Sequence, residues 1–416
     1  MKSCKFLRRL WCVLAAGCCL LCACSDDGGD KSEPRLPIQV SETLIEADAA
    51  GKIHKVFIEA AGAWSIEGMT EWCRVDKERG SFTDTVTVMV DEQVFREERS
   101  CELVVVETGG DPHKVTVKQA GALQDYVYRL PVVFHILYDD AADINQNIHA
   151  NFLNDILPYC SGLYRKGHNG LDMGVEFYMA TVAPDGKHLE EPGIHRVQWA
   201  KTNVSAYDFI QSTGAEDLAL LWDPNEYVNI VVFPFLESNM GMTGISTMPY
   251  TVSEGGLKGL VAGDMYFNHP VSKMCCVALN TQYAIRPNAK QIVAHELGHY
   301  LGLFHVFSNT DELQTDYCAD TPNYNRKAYL DECRQIIAVE GIESERLFER
   351  KGDGGVTFIS RNVMDYEYTY QDEFTADQYK RIRHVLENSP LIPGIKKSRK
   401  GATKCTGEIP EMVFME

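Results

Sequence analysis

The chain has 416 residues, 59 acidic against 40 basic, and a formal net charge of −19. That length predicts two or three domains, with chain enough to bury substantial apolar cores. The acidic balance, with no basic patch outside 396–404, excludes a nucleic-acid-binding role.

Residues 1–23 read as a targeting segment. Lys2, Lys5, Arg8 and Arg9 make a basic start, and Leu10 to Ala23 is an apolar run too short to span a bilayer comfortably. The run closes Leu21-Cys22-Ala23-Cys24, which resembles the lipobox of bacterial lipoproteins. That resemblance implies cleavage before Cys24, acylation of Cys24 and a membrane attachment through lipid. Removing 1–23 takes the formal charge from −19 to −23. Residues 24–36, in which Ser25-Asp26-Asp27-Gly28-Gly29-Asp30 follows Cys24, form a flexible acidic tether similar to the surface-export leaders of such lipoproteins. The expected location is the outer membrane, facing the cell exterior, with the periplasmic face as the alternative. Export permits disulfides, and Cys318 with Cys333, flanking one loop, is the candidate pair.

Residues 37–122 alternate apolar and polar positions in short runs: 55–59, 84–90, 101–106 and 113–118. Turn residues at Gly80-Ser81 and Gly109-Gly110-Asp111-Pro112 separate them, a pattern that predicts a small all-β sandwich. Trp64, Trp72, the 96–99 segment and the closing Val117-Lys118-Gln119-Ala120-Gly121 resemble the BACON domain. The resemblance implies a spacer or carbohydrate-binding module, with Trp64 and Trp72 as stacking platforms or as core.

Residues 123–390 change character. Leu130–Tyr138 reads as a buried strand with His135 as a core histidine; 148–164 has helical apolar spacing that Pro158 is expected to kink. Strands follow at 173–180 and 227–235, and 244–250 reads as an edge strand because Pro249 cannot serve an inner ladder. The mixture argues an α+β domain. Residues 391–416 are read as a tail.

A helix is expected over 288–302, with Asn288 and Gln291 as its capping box. It carries His295-Glu296-Leu297-Gly298-His299-Tyr300-Leu301-Gly302-Leu303-Phe304-His305, the pattern H-E-x-x-H-x-x-G-x-x-H. Four residues rise about 6 Å on a helix and turn slightly beyond one revolution, so His295 and His299 project from one face. Gly302 can end the helix in left-handed backbone, letting His305 return as a third ligand. Three histidines leave a fourth position open on a tetrahedral Zn2+, the arrangement of a catalytic metal. Glu296, beside the metal and not on it, suits a base that takes a proton from zinc-bound water.

Further on come Cys318-Ala319-Asp320-Thr321-Pro322, Asn362-Val363-Met364-Asp365-Tyr366 and Phe374-Thr375-Ala376-Asp377-Gln378. With Leu130-Pro131-Val132-Val133-Phe134-His135 and the long zinc motif, these resemble the pappalysin (cytophagalysin) metzincins, in a lipoprotein branch. The resemblance implies a twisted mixed sheet with a zinc helix and a Met-turn. By position, His295, His299 and His305 would bind zinc, Glu296 would be the base and Met364 would floor the site. It also implies an oxyanion-stabilising role for Tyr366 and makes Asp316 and Asp320 candidates for a Ca2+ site. Residues 326–355 are longer than that family leads one to expect, at the primed side of the cleft. The last helix is expected from Thr375, capped by Gln378, to about Asn388.

The expected function is a lipid-anchored zinc endopeptidase acting on extended or unfolded protein segments. A glycan- or host-binding lipoprotein with an inactive protease domain is the alternative.

Overall fold

A computed structural model describes residues 38–397 and 414–415, apart from 202–203, 237–240, 253–255, 264–271 and 311–313. The targeting segment, Cys24, the acidic tether, Cys405 and most of the tail lie outside the described residues. The chain divides into two compact units. One holds 38–46, 52–90 and 100–118; segments 47–51, 91–99 and everything from 119 onward group into the other.

The first unit is all-β. One sheet has four strands in the order 39–40, 52–59, 84–90, 73–75; the other has five in the order 44–47, 113–119, 99–107, 63–67, 79–81. Alternation does the work expected of it: Val86, Val88 and Val90 are buried while the residues between them are not. Trp64 belongs to the core. Its ring lies beneath Gly80, where a Cβ would sit 2.2 Å from it, and its indole N–H donates to the Phe82 carbonyl at 3.0 Å. That placement leaves no ring face for a sugar.

The second unit is built on a seven-stranded mixed sheet. Its strands are β1 (Tyr128–Tyr138), β2 (Val175–Met179), β3 (Ile194–Gln198), β4 (Val228–Phe233), β5 (Gly244–Thr247), β6 (Val277–Asn280) and β7 (Phe414–Met415). The order is β2-β1-β4-β6-β5-β7, with β3 also pairing β1. Strands β1, β2, β3, β4 and β6 run parallel, while β5 is antiparallel to both β6 and β7. The principal helices are α1 (Ile156–Arg165), α2 (Ala289–Tyr300), α3 (Arg326–Glu340) and α4 (Ala376–Asn388).

The unbroken apolar run in β1 follows from burial on both faces. Val132, Phe134 and Ile136 join a core with α1, α2 and α4. Leu137 faces another, with Phe209 and Ile210 of a short helix over 206–210. His135 is a satisfied core histidine. Its Nε2 lies 2.8 Å from Asn229 Oδ1 and its Nδ1 lies 2.8 Å from His195 Nδ1. Because a carbonyl oxygen only accepts, Nε2 of His135 carries the proton and its Nδ1 accepts from His195.

Four local expectations are corrected. The helix expected over 148–164 begins only at Ile156, after a separate 3-10 turn at 150–152, so Pro158 falls in the first turn. There an N–H has no helical partner to lose, and no kink results. Asn288 is the N-cap of α2, but its side chain makes no capping bond. Its backbone sits at φ −89°, ψ 5°, outside the extended region that aims a cap side chain back at the helix. The strand expected over 244–250 ends at Thr247, before the Met248-Pro249 step, and β7 pairs with its outer edge at Ser246 and Thr247. Finally, Cys318 and Cys333 are both free thiols. Cys333 packs inside an apolar cluster with Tyr324, Tyr329 and Leu347, while the Cys318 N–H is held by Asp316 in a separate turn. In contrast, the Thr375–Gln378 capping box of α4 forms as expected.

Candidate metal centre and cleft

Helix α2 presents His295 and His299 from one face, and its end turns back as the glycine spacing requires. Gly302 adopts φ +90°. Its N–H donates to the His299 carbonyl at 2.8 Å and the Leu303 N–H donates to the Gly298 carbonyl at 2.9 Å, the two bonds of a left-handed helix cap. Arg381 of α4 holds the same turn from outside, donating to the Gly302 carbonyl at 3.0 and 3.2 Å. The returning chain delivers His305.

The three Nε2 atoms converge. His295 to His305 is 3.1 Å, His295 to His299 is 3.1 Å and His299 to His305 is 3.0 Å. Two of the rings are oriented through their other nitrogen: His295 Nδ1 donates to the Val363 carbonyl at 2.8 Å and His299 Nδ1 to the Leu303 carbonyl at 2.7 Å. The proton therefore sits on Nδ1, and the Nε2 lone pair faces the common point. Burial pushes the His295 pKa down to about 4 and that of His299 well below its ordinary value, so both are neutral at pH 7. Lone pairs at such spacing repel unless a cation lies between them. A tetrahedral zinc with bonds of 2.0–2.1 Å spaces its ligands about 3.3 Å apart, close to the spacing seen. The donor set fits a zinc ion. Among the described residues it is the one group of three or more metal-ligating side chains.

The calcium candidates are committed elsewhere. Asp316 accepts from the Thr321 hydroxyl at 2.5 Å and the Cys318 N–H at 3.1 Å, and Asp320 accepts from the Asp377 N–H at 2.9 Å.

Met364 lies under the helix. The Cβ that Gly298 lacks would fall 2.3 Å from the Met364 sulfur, so only glycine lets the turn come this close. The approach also sets Val363 against His295. Gly244 of β5 does the same above: a Cβ there would meet Glu296 Cγ and Oε1 at 2.9 Å. Glu296 is thus held between its helix and the strand, on the wall of a cleft of about 760 Å³ that also takes in Gln291, His295, Arg326, Tyr366 and Glu367. The Tyr366 ring lies 5.0 Å from that of His295 and 4.8 Å from that of His305.

The long segment 326–359 turns out to buttress this cleft. It consists of α3, a 3-10 turn at 345–348 and a hairpin pairing 349–351 with 357–359. Arg326, at the start of α3, binds Glu367 through two nitrogens and lies over the Tyr366 ring at 5.1 Å. Arg350, with no exposed surface, donates to the carbonyls of Tyr366 and Glu367 at 3.0 and 2.7 Å and pairs with buried Asp365 at 3.3 Å. Asp365 also accepts from the hydroxyls of Tyr324 and Ser360 and from the Tyr366 N–H. The turn carrying Met364 and Tyr366 is therefore fixed by a buried charge network. Sequence reasoning placed all three histidines, Glu296, Met364 and Tyr366 at one site. It missed Arg326, Arg350 and Glu367, which no motif marks, and the roles of Gly244 and Gly298.

A helix with two metal-facing histidines, a third from the following turn and a methionine beneath defines a metzincin-type α+β unit. Residues 213–387 match the family model of peptidase M43, described as pregnancy-associated plasma protein-A, so this part of the chain is of the pappalysin type. The chain is 36% identical over 97 residues to the extracellular metalloprotease of Arthroderma benhamiae, a stretch covering 23% of this chain and 31% of that protein. The extracellular metalloprotease of Arthroderma otae is 35% identical over 102 residues, 24% of this chain and 33% of the relative. The matched stretch thus spans about a third of these relatives' length. Among solved structures, mature mirolysin of Tannerella forsythia in complex with a cleaved peptide aligns with a TM-score of 0.45 and 20% identity, over 64% of this chain and 93% of that one.

Proposed function

We propose that the chain is a zinc endopeptidase, exported and held at the outer membrane by lipid on Cys24, that cuts extended or unfolded protein segments. The observation that carries the reading is the convergence of the three Nε2 atoms of buried His295, buried His299 and half-buried His305 within 3.1 Å of one another, with Glu296 beside them on a cleft wall. His295, His299 and His305 would hold the metal. Bound zinc supplies Lewis-acid polarisation of the scissile carbonyl and lowers the pKa of water.

The chain's residues do the rest. Glu296 takes the proton of the attacking water and passes it to the departing amine. Tyr366 donates its hydroxyl to the developing oxyanion, a contribution of the oxyanion-hole kind. The Met364 turn does no chemistry; it sets the height and angle of His295 through Val363. An extended substrate lies along β5 by backbone pairing, which favours unfolded segments over compact folds. Residues 37–122 would be a BACON-like spacer and 123–390 the catalytic domain. The relatives' name, extracellular metalloprotease, supports a location outside the cytoplasm, and no helix among the described residues is long and apolar enough to cross a membrane.

The test is digestion of unfolded casein by residues 25–416. Cleavage abolished by a zinc chelator and restored by added zinc is the expected result; no cleavage by folded, zinc-loaded protein rejects the reading. Tyr366→Phe at unchanged turnover removes the tyrosine from the mechanism. Release of the full-length protein from membranes by Cys24→Ser tests the anchor.

A further inference from the structure

The strand that lines the cleft above Glu296 already has a partner. Strand β7 pairs antiparallel with the outer edge of β5, Phe414 opposite Thr247 and Met415 opposite Ser246. Its direction matters. Moving from Phe414 to Met415, the segment advances along β5 from Thr247 toward Gly244, and Gly244 is the residue whose Cβ position touches the Glu296 carboxylate. A peptide lying in this register therefore approaches the base with its carbonyl end foremost. That is the polarity required of the acyl half of a substrate.

The segment has a composition suited to the place. Met412-Val413-Phe414-Met415 is an apolar run between Glu411 and Glu416, in a chain that is otherwise strongly acidic. The edge of β5 has the matching need. β5 is buried along its whole length, and an uncovered edge strand leaves a row of N–H and C=O groups without partners.

We propose that the outer edge of β5 is the strand-addition site of the cleft and that Phe414–Met415 is its internal occupant, competing with extended substrate for the same backbone groups. The inference rests on the peptidase reading for the identity of the competitor, not for the pairing itself. An occupant on the same chain faces the edge at an effective concentration in the millimolar range, so a free peptide must displace it before binding.

The test uses the full chain and the double variant Phe414→Pro/Met415→Pro. In an antiparallel edge pair, neighbouring residues point their N–H groups to opposite sides, so one of the two prolines removes a ladder donor whichever residue supplies it. Two readouts are needed. The first is binding of a fluorescently labelled peptide of sequence 411–416 to each protein by anisotropy, which requires no turnover. The second is KM and kcat on casein. Tighter peptide binding by about tenfold or more in the variant is expected from loss of the intramolecular competitor, together with a lower KM at unchanged kcat. Equal peptide affinity in the two proteins overturns the proposal. If casein is cleaved with identical KM by both, the proposal fails while the peptidase reading stands. If peptide binding tightens but neither protein cleaves, the proposal stands and the peptidase reading fails. A circular dichroism melt identical in the two proteins excludes unfolding as the cause.

Discussion

Gly298 is a position where local and tertiary preferences oppose each other, and Gly298→Ala decides which one wins. Taken alone, the replacement stabilises a helix interior by about 0.5–1 kcal/mol, because alanine loses less backbone freedom on folding. Within this fold the new Cβ would lie 2.3 Å from the Met364 sulfur and 3.1 Å from its terminal methyl. Ordinary contact needs about 3.5–4.0 Å, so the sulfur must retreat by roughly 1.2–1.7 Å. Overpacking of this kind costs about 1–3 kcal/mol, and the net result is a loss of stability, not a gain. The displaced turn carries Val363, whose carbonyl holds His295 Nδ1 at 2.8 Å. Losing such an outer partner weakens metal binding by about 10–100-fold. Thermal melts of the metal-free proteins and competition with a fluorescent zinc chelator read the two effects separately. A Gly298→Ala protein that melts higher than wild type and binds zinc equally well would refute the argument that Met364 packs against the bare helix backbone.

Three further outcomes follow from the same geometry. Gly244→Ala places a methyl 2.9 Å from the Glu296 carboxylate; turnover should fall at least tenfold while zinc affinity stays within twofold, as measured by casein cleavage and chelator competition, an effect of misplacing a base. Arg350→Ala leaves Asp365 buried without its cation and should cost about 3–5 kcal/mol in urea unfolding, with loss of the ordered Met364 turn. The third concerns His135, whose pKa burial holds at about 3. Its unfolded value is about 6.5. Between these values the unfolded chain binds the extra proton, so stability is fully present above about pH 6.5 and falls as the pH drops, by up to about 1.4 kcal/mol per unit from this one group. His195, also lowered by burial, acts in the same direction. Urea midpoints from pH 6.5 to 4.5 should show a shallower slope for His135→Gln; an unchanged slope would reject this account.

What could be read from the sequence was whatever local spacing determines. The zinc motif fixes a helix face, a helix stop and a returning ligand within eleven residues, and all three appear in α2 and Gly302. The Thr375–Gln378 box depends on two side chains and one turn, and it forms. The Asn288–Gln291 box has the same spacing yet does not form, because the chain enters α2 at φ −89°, ψ 5°, and that entry is set by packing that the spacing does not encode. Tertiary partners were invisible for a related reason. Arg326 and Glu367 are 41 residues apart, and Arg350 reaches Asp365 across its own hairpin. Residues 326–355 therefore read only as an insertion of unusual length. The cover on β5 comes from still farther off, since β7 joins residues 246–247 to residues 414–415. The paired cysteines failed in the opposite way. Cys318 and Cys333 are near in sequence, but one belongs to a turn held by Asp316 and the other to an apolar cluster.

The central claim is that a three-histidine metal site and Glu296 together hydrolyse peptide bonds. The most direct measurement is turnover of unfolded casein by wild type and Glu296→Gln at equal, independently determined zinc content. One zinc per chain in both proteins, with cleavage by the wild type alone, is the predicted result. Equal cleavage by both, or one zinc per chain with no cleavage by either, would contradict it.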